Sequence, residues 1–281
     1  MILTRLIVGT VLFWATVGLL VVDQWYPPWF PCLFVCLMLL GIIATRELVR
    51  LFPAAHRPNV WLTVAGVCVV LAANFAHLAF PSADSGSRLN GCAFALMGAF
   101  LASFLIEMYR YREPGTAVPR LAFTVFALTY IGLLGSFLAQ LRWLGDPART
   151  STILALTIFV PKFGDIGAFF TGTFLGRHKM TPLLSPKKTW EGFAGGMITA
   201  MLMSIGLSFT GDVFQNGIVE AAAFGLVAGI VGVLGDLAES LIKRDSQSKD
   251  AAQSIPGFGG LLDVVDSVLF TAPVAYFWFR N

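Results

Sequence analysis

An all-α, polytopic integral membrane protein with about nine transmembrane helices is the fold class this sequence predicts, and three observations carry the prediction. Of the 281 residues, 57% are hydrophobic and 12% charged, whereas a soluble globular chain carries roughly 25% charged residues. Apolar runs recur along the whole chain at the length a spanning helix needs, about 20 residues. The runs are continuous rather than alternating, which argues against a β-barrel. The third observation is an uneven distribution of Lys and Arg between the loops on the two sides.

In order, the predicted spans are Leu3–Val22, Trp29–Thr45, Val60–Phe80, Gly91–Tyr109, Leu121–Gln140, Ser151–Phe174, Gly192–Phe209, Gly217–Ile242 and Gly259–Phe279. The first resembles a signal peptide, but its apolar part is long and no small-x-small cleavage site follows, so a span is expected. Segments on one side hold Arg5, Arg46, Arg50, Arg57, Arg110, Arg112, Arg120, Arg177, Lys179, Lys187, Lys188, Lys243, Arg244 and Lys249. The other side holds Arg88, Arg142, Arg149 and Arg280, and Lys162 falls within a span. The bias predicts an N-in, C-out orientation and an odd number of crossings. A cell inner (cytoplasmic) membrane location is expected, with any site on the basic side facing the cytoplasm.

Two regions differ in kind. Residues 1–150 carry five spans almost free of charge and are expected to be scaffold. Residues 151–281 carry four spans with acids, glycines and two dense polar loops, and are expected to hold the chemistry. The net charge of +3 is spread among short loops, so no nucleic-acid partner is expected; anionic lipid and topology account for it. Cys32, Cys36, Cys68 and Cys92 all lie in apolar runs, which disfavours disulfides and zinc.

The informative residues are charges where charge is costly. An ionisable group inside a span costs about 2.5–3.5 kcal/mol on insertion scales. Span six contains Lys162 and Asp165, span eight Asp236 and Glu239, and span nine Asp263 and Asp266. Each pair is three residues apart, so both members share a helix face. Lys162 and Asp165 can neutralise each other. The acids of spans eight and nine are expected to lack a local partner and to sit at the cytoplasmic ends of two consecutive helices. Carboxylates gathered together raise each other's pKa or recruit a cation, and oxygen ligands alone suit Mg²⁺. A proton or sodium pathway, as in a transporter, is the alternative.

Two loops favour a metal–phosphate site. "GRHKMTPLLSPKKTWEG" (Gly176–Gly192) sets Arg177, Lys179, Lys187 and Lys188 beside Ser185 and Thr189 and ends in Glu191; bases and hydroxyls in such a loop suit a polyphosphate. "SLIKRDSQSKDAAQSIPGFGG" (Ser240–Gly260) brings Lys243, Arg244 and Lys249 near the acids, and its glycines let backbone approach a ligand.

At these residues the chain resembles the phosphatidate cytidylyltransferases (CDP-diacylglycerol synthases). Their signature runs S-x-x-K-R-x4-K-D, then P-G-H-G-G-x-x-D-R-x-D; this chain reads "SLIKRDSQSKD" over Ser240–Asp250 and "PGFGGLLDVVD" over Pro256–Asp266. The upstream S-P-K-K-T-x-E-G element stands at Ser185–Gly192, "GDLAES" occupies Gly235–Ser240, and "GDIGAFFTGTFLGRHK" (Gly164–Lys179) resembles a further family stretch with altered spacing. The likeness covers about the C-terminal half.

The resemblance implies Mg²⁺-dependent, in-line transfer from CTP to phosphatidate, with CDP-diacylglycerol and pyrophosphate as products. It implies catalytic roles for Asp236, Asp263, Lys243, Asp250 and Asp266, with Asp236 and Asp263 as metal ligands. Asp266 is implied as a further ligand or as an orienter of one. Ser185, Lys187, Lys188, Thr189, Glu191, Arg244, Lys249 and Asp165 are implied to bind substrate. Members of the family are often dimers, so a homodimer is among the expected partners, and the small residues of "GAFLASF" (Gly98–Phe104) offer a helix-packing face. Two departures stand out: Phe258 replaces the signature His and Val264 the Arg. Phe cannot carry a proton and Val removes a guanidinium beside the acids. Either another residue supplies those functions, or catalysis is weakened, or the substrate is altered; a divergent inactive or altered-substrate homologue is the alternative within the family.

Overall fold

A computed structural model describes residues 2–79, 87–247, 252, 255 and 259–280. The chain forms two compact units, Met1–Gln140 with Ser246–Val264, and Leu141–Asp245 with Val265–Asn281. Regular structure among the described residues is almost entirely helical, and each of the nine predicted runs contains helix. Six stretches are long and apolar enough to cross a membrane: Pro31–Leu51, Asn90–Arg110, Ala117–Leu141, Pro147–Leu175, Gly217–Asp245 and Leu261–Phe279. Ile7–Asp23 and Val60–Ala73 are shorter apolar helices. The chain is an integral membrane protein.

The first unit contains α1 (Ile2–Asp23), α2 (Pro31–Leu51), α3 (Val60–Ala73), α4 (Ala76–Ala79), α5 (Ser87–Arg110) and α6 (Ala117–Ala127). From α6 the chain continues through a π-helical stretch, Leu128–Leu133, into α7 (Leu134–Leu141). Leu48, Val67, Leu71, Leu128 and Ile131 pack the core. The start of α2 is set by Pro31 at its first turn and by the buried Asp23, whose Oδ1 accepts from the amides of Cys32 and Leu33 at 2.9 and 3.2 Å. Proline fits there because its missing N–H would have no helical partner, and the acid serves the remaining donors.

The third run was expected to continue to Phe80, but α3 ends at Ala73. The cause is Asn74, whose Nδ2 donates to the carbonyls of Val70 and Leu71 and to Ser136 Oγ at 3.2, 2.9 and 2.9 Å. Its Oδ1 accepts from Gln140 Nε2 and Cys92 Sγ, at 2.6 and 2.9 Å. A short amide side chain that binds its own backbone competes with the helical ladder, and here it also ties α3 to α5 and α7 through a fully buried polar cluster.

The second unit is built from α8 (Pro147–Leu175), a hairpin of β1 (Lys179–Thr181) and β2 (Ser185–Thr189), α9 (Trp190–Ser208), α10 (Gly217–Asp245) and most of α11 (Leu261–Phe279). The strands are antiparallel, with Lys179 opposite Thr189 and Thr181 opposite Ser185. This hairpin departs from an all-α reading. Asp146 caps α8 by accepting from the amides of Ala148 and Arg149, both at 3.1 Å. α8 and α9 pack backbone to backbone: a Cβ on Gly196 would lie 2.9 Å from the Gly164 carbonyl oxygen. α10 and α11 approach as closely, since a Cβ on Gly235 would lie 2.6 Å from the carbonyl oxygen of Asp266.

Asn74→Ala should remove the acceptor of the buried Gln140 Nε2 and break the links to Ser136 and Cys92. A loss of about 1–3 kcal/mol is expected, read as a lower thermal midpoint in detergent; an unchanged midpoint would show that the cluster contributes nothing.

Candidate active site

Helix geometry in the second unit gathers acids that the sequence only pairs. Asp236 and Glu239, one turn apart on α10, meet Asp266 of α11, and a carboxylate oxygen from each lies within 4.8 Å of the other two. Glu239 and Asp266 are buried, and Asp236 is half-buried. The close approach at Gly235 makes this possible, because a side chain there would hold α11 away from the residue next to Asp236.

Buried carboxylates are tolerated when paired, and each of these has an ammonium partner. Lys188 Nζ, from β2, lies 2.7 Å from Asp236 Oδ2. Lys162 Nζ, from α8, lies 3.1 Å from Asp266 Oδ1 and 3.8 Å from Asp165 Oδ2. Lys243 Nζ, one turn beyond Glu239 on α10, lies 2.9 Å from Glu239 Oε2. The expectation that the acids of these helices lack local partners is therefore corrected: Lys243 is a partner on the same helix, and Lys162 and Lys188 arrive through tertiary packing. Three ammonium groups face the four carboxylates of Asp165, Asp236, Glu239 and Asp266.

The hairpin delivers Lys188. Side chains alternate along a strand, and exposed Lys187 precedes half-buried Lys188. Thr189, buried, caps α9 by accepting from the Gly192 amide at 3.1 Å. Glu191 folds back onto the hairpin and accepts from the amides of Arg177 and His178 at 3.0 and 3.2 Å, while His178 Nδ1 lies 2.6 Å from its Oε1. Ser185 is half-buried at the start of β2. Exposed Arg244, at the end of α10, donates from Nε to the Leu184 carbonyl at 3.2 Å and so steadies the turn.

In the first unit, Asp263 occupies the opening turn of α11, and its Oδ2 accepts from the Gly260 amide at 2.6 Å. Lys249, Asp250 and Phe258 lie outside the described residues. Two residues were not singled out as site residues by sequence. Glu239 was visible only as the second acid of span eight. Glu47 was hidden among arginines in "ATRELVR" (Ala44–Arg50), where it reads as an ordinary flank of a span. It is buried on α2 and accepts from the amides of Leu261 and Leu262.

A polytopic helical membrane protein with a lysine-paired carboxylate cluster beside a basic hairpin is a class of structure suited to a cation and phosphates. The chain belongs to the cytidylyltransferase family, whose sequence model matches residues 3–281. It is 32% identical over 199 residues to a phosphatidate cytidylyltransferase of Bacillus subtilis (strain 168), covering 70% of each chain. It is 33% identical over 223 residues to a protein of the same name from Synechocystis sp. (strain ATCC 27184 / PCC 6803 / Kazusa), covering 70% of this chain and 73% of that one. Similarity to the uncharacterized protein YnbB of Escherichia coli (strain K12) is 39% over 158 residues, 56% of this chain and half of that protein.

Glu191, ahead of the predicted seventh span, has a measurable signature. The His178 side chain, followed by the Arg177 amide, holds its carboxyl well below the ordinary 4.5, at about 2. A lowered folded-state value means that these contacts contribute fully above the ordinary pKa and are lost as pH falls from about 4.5 through about 2. In isotope-labelled protein in detergent, the amide shifts of Arg177 and His178 should show a transition in that acid window. Glu191→Gln should abolish the transition; a midpoint near 4.5 in the parent would show that the contacts do not form.

Proposed function

We propose that this chain is a CTP-dependent phosphatidate cytidylyltransferase that makes CDP-diacylglycerol and releases pyrophosphate. The observation that carries the reading is the cluster of Asp236, Glu239 and Asp266, with Lys188 brought to it by the "SPKKT" strand, inside a family match that covers nearly the whole chain. The names of the Bacillus and Synechocystis relatives supply the substrate class.

A Mg²⁺ ion fits the donor set, which is all oxygen, anionic and contributed by two helices. Asp236, Glu239 and Asp266 would hold it, with Asp263 as a further acid of the same signature. Bound there, the ion would neutralise charge on the nucleotide phosphates and the pyrophosphate leaving group. The protein's own part is binding and orientation. Lys188 and Lys243 offer ammonium groups to the triphosphate, with exposed Lys187 and Arg244 beside them. Ser185 and Thr189 stand on the same strand, and Lys162 and Asp165 complete the charged wall. The lipid phosphate attacks the α-phosphorus, a new P–O bond forms, and the bond to the β-phosphate oxygen breaks. No general base is needed, because a phosphate monoester is already anionic near neutral pH. The apolar helices leave the acyl chains in the bilayer.

The Lys and Arg distribution supports an N-in, C-out arrangement with nine crossings in the inner membrane and the site on the cytoplasmic face. A homodimer belongs to the same proposal. Val264, in the position of the signature arginine, favours a second reading in which the acceptor is another lipid phosphate.

The test is pyrophosphate release by detergent-solubilised protein supplied with labelled CTP and phosphatidate, with and without Mg²⁺. Release only with Mg²⁺ supports the proposal. Silence with phosphatidate but turnover with another lipid phosphate supports the second reading, and silence with every acceptor overturns both. Asp236→Asn and Asp266→Asn should each lower kcat by at least about 100-fold, the scale of a lost preorganised charge; wild-type turnover in either variant would remove that acid from the site.

A further inference from the structure

We infer that Glu47 is a positioning residue for the transfer reaction, holding the first turn of α11 and, through it, Asp263; the inference rests on the function proposed above. The opening N–H groups of a helix have no helical partner. In α11 the Leu261 and Leu262 amides donate to Glu47 Oε1 and Oε2, at 3.1 and 2.8 Å, from residues 214 and 215 positions away in sequence. Glu47 is only 2% exposed, so these bonds form where water does not compete, and a carboxylate at a helix N-terminus also meets the positive end of the helix dipole.

The fit leaves little slack. A Cβ on Gly260 would lie 2.6 Å from Glu47 Oε2, so the residue before the helix is restricted to one without a side chain. The Gly260 amide donates to Asp263 Oδ2 at 2.6 Å. Three successive amides are thus divided between two acids: Glu47 takes Leu261 and Leu262, and of these three Asp263 receives Gly260 alone. Glu47 thereby fixes both the direction in which the turn leaves the glycine segment and the share of backbone donors that falls to the signature acid. A helix can be capped by a Ser, Thr or Asp at its own start; an acid from α2 instead makes the position of Asp263 depend on the packing of the first unit.

The experiment uses full-length protein, the CTP–phosphatidate assay and thermal melting in the same detergent. Glu47→Gln keeps the shape but turns an NH₂ group toward a backbone donor. It should lower kcat about 10–100-fold, the scale seen when the partner that orients a functional acid is lost, with KM for CTP little changed. Gly260→Ala, which crowds the same carboxylate, should reproduce that split. Asp146→Ala is the matched control, because it removes the equivalent cap of α8; it should lower the thermal midpoint and leave kcat unchanged. A Glu47→Gln enzyme that melts earlier but turns over at the wild-type rate would overturn the inference and reduce Glu47 to a brace. Should Glu47→Gln fail to fold, Gly260→Ala decides alone: a kcat loss supports the role and wild-type kcat overturns it. A wild-type protein silent in the assay overturns the cytidylyltransferase reading and this role with it, an outcome distinct from an active parent with an unaffected variant.

Discussion

The second unit depends on one constraint: carboxylates carried on apolar helices must be neutralised where they are buried. Water cannot do this at Glu239 or Asp266, which are 1% and 3% exposed. Desolvating a charge without a partner costs several kcal/mol, so the lysines are structural requirements before they are anything else. Lys162 must come from α8 and Lys188 from the hairpin. That demand dictates how closely the helices approach, and glycine meets it. Gly235 lets α10 lie against the α11 backbone, and Gly232 does the same against Pro161 of α8, where a Cβ would sit 2.6 Å from the proline's own. The hairpin is part of the same solution. Its closure by the Trp190 amide on the His178 carbonyl, at 3.0 Å, and by Glu191 fixes where Lys188 points.

The pairing that stabilises the cluster also suits the proposed chemistry. An ammonium group held on a carboxylate by an ion pair is one a competing cation can release. On the proposed reading, Mg²⁺ at Asp236, Glu239 and Asp266 would take over the role of neutralising them. Lys188 and Lys243 would then be freed at the edge of the cluster, where the phosphates of a nucleotide would lie. The same residues would thus serve folding without ligand and binding with it, which explains why lysine is better suited here than an apolar replacement. A fully apolar core would be no less stable, but it would offer nothing to an anion.

Much of the architecture was legible because apolar length is a local property. Each of the nine runs contains helix, six stretches being long and apolar enough to cross a membrane, and the i,i+3 spacing of Lys162 with Asp165 and of Asp236 with Glu239 placed each pair on one face. What escaped reading depends on residues far apart in sequence. The end of α3 is set by Asn74 reaching Ser136 and Gln140, 62 and 66 positions away. The hairpin has strands of only three and five residues, one starting Ser-Pro, and their basic character masks any alternation. Asp266 finds Lys162 across 104 residues. Glu47 carries no local mark at all, since an acid among arginines at the end of a span is ordinary until the amides of α11 arrive.

The loss of the signature arginine at Val264 can be weighed on these terms. A guanidinium next to the acids would supply a fixed positive charge, and its removal from an apolar helix would ordinarily leave a carboxylate to be protonated or exposed. Here Asp266 does not depend on it. Lys162 Nζ lies 3.1 Å away, and the Ser267 amide donates to the same oxygen at 2.6 Å. The charge balance of the buried acid therefore survives the substitution, and what is lost is the geometry an arginine offers: a planar fork able to grip a phosphate through two parallel bonds. Lysine supplies charge without that fork. On the proposed reading, the consequence would fall on how a phosphate-bearing group is oriented rather than on whether the cluster can stay folded, and acceptor choice would be the property most exposed to the change.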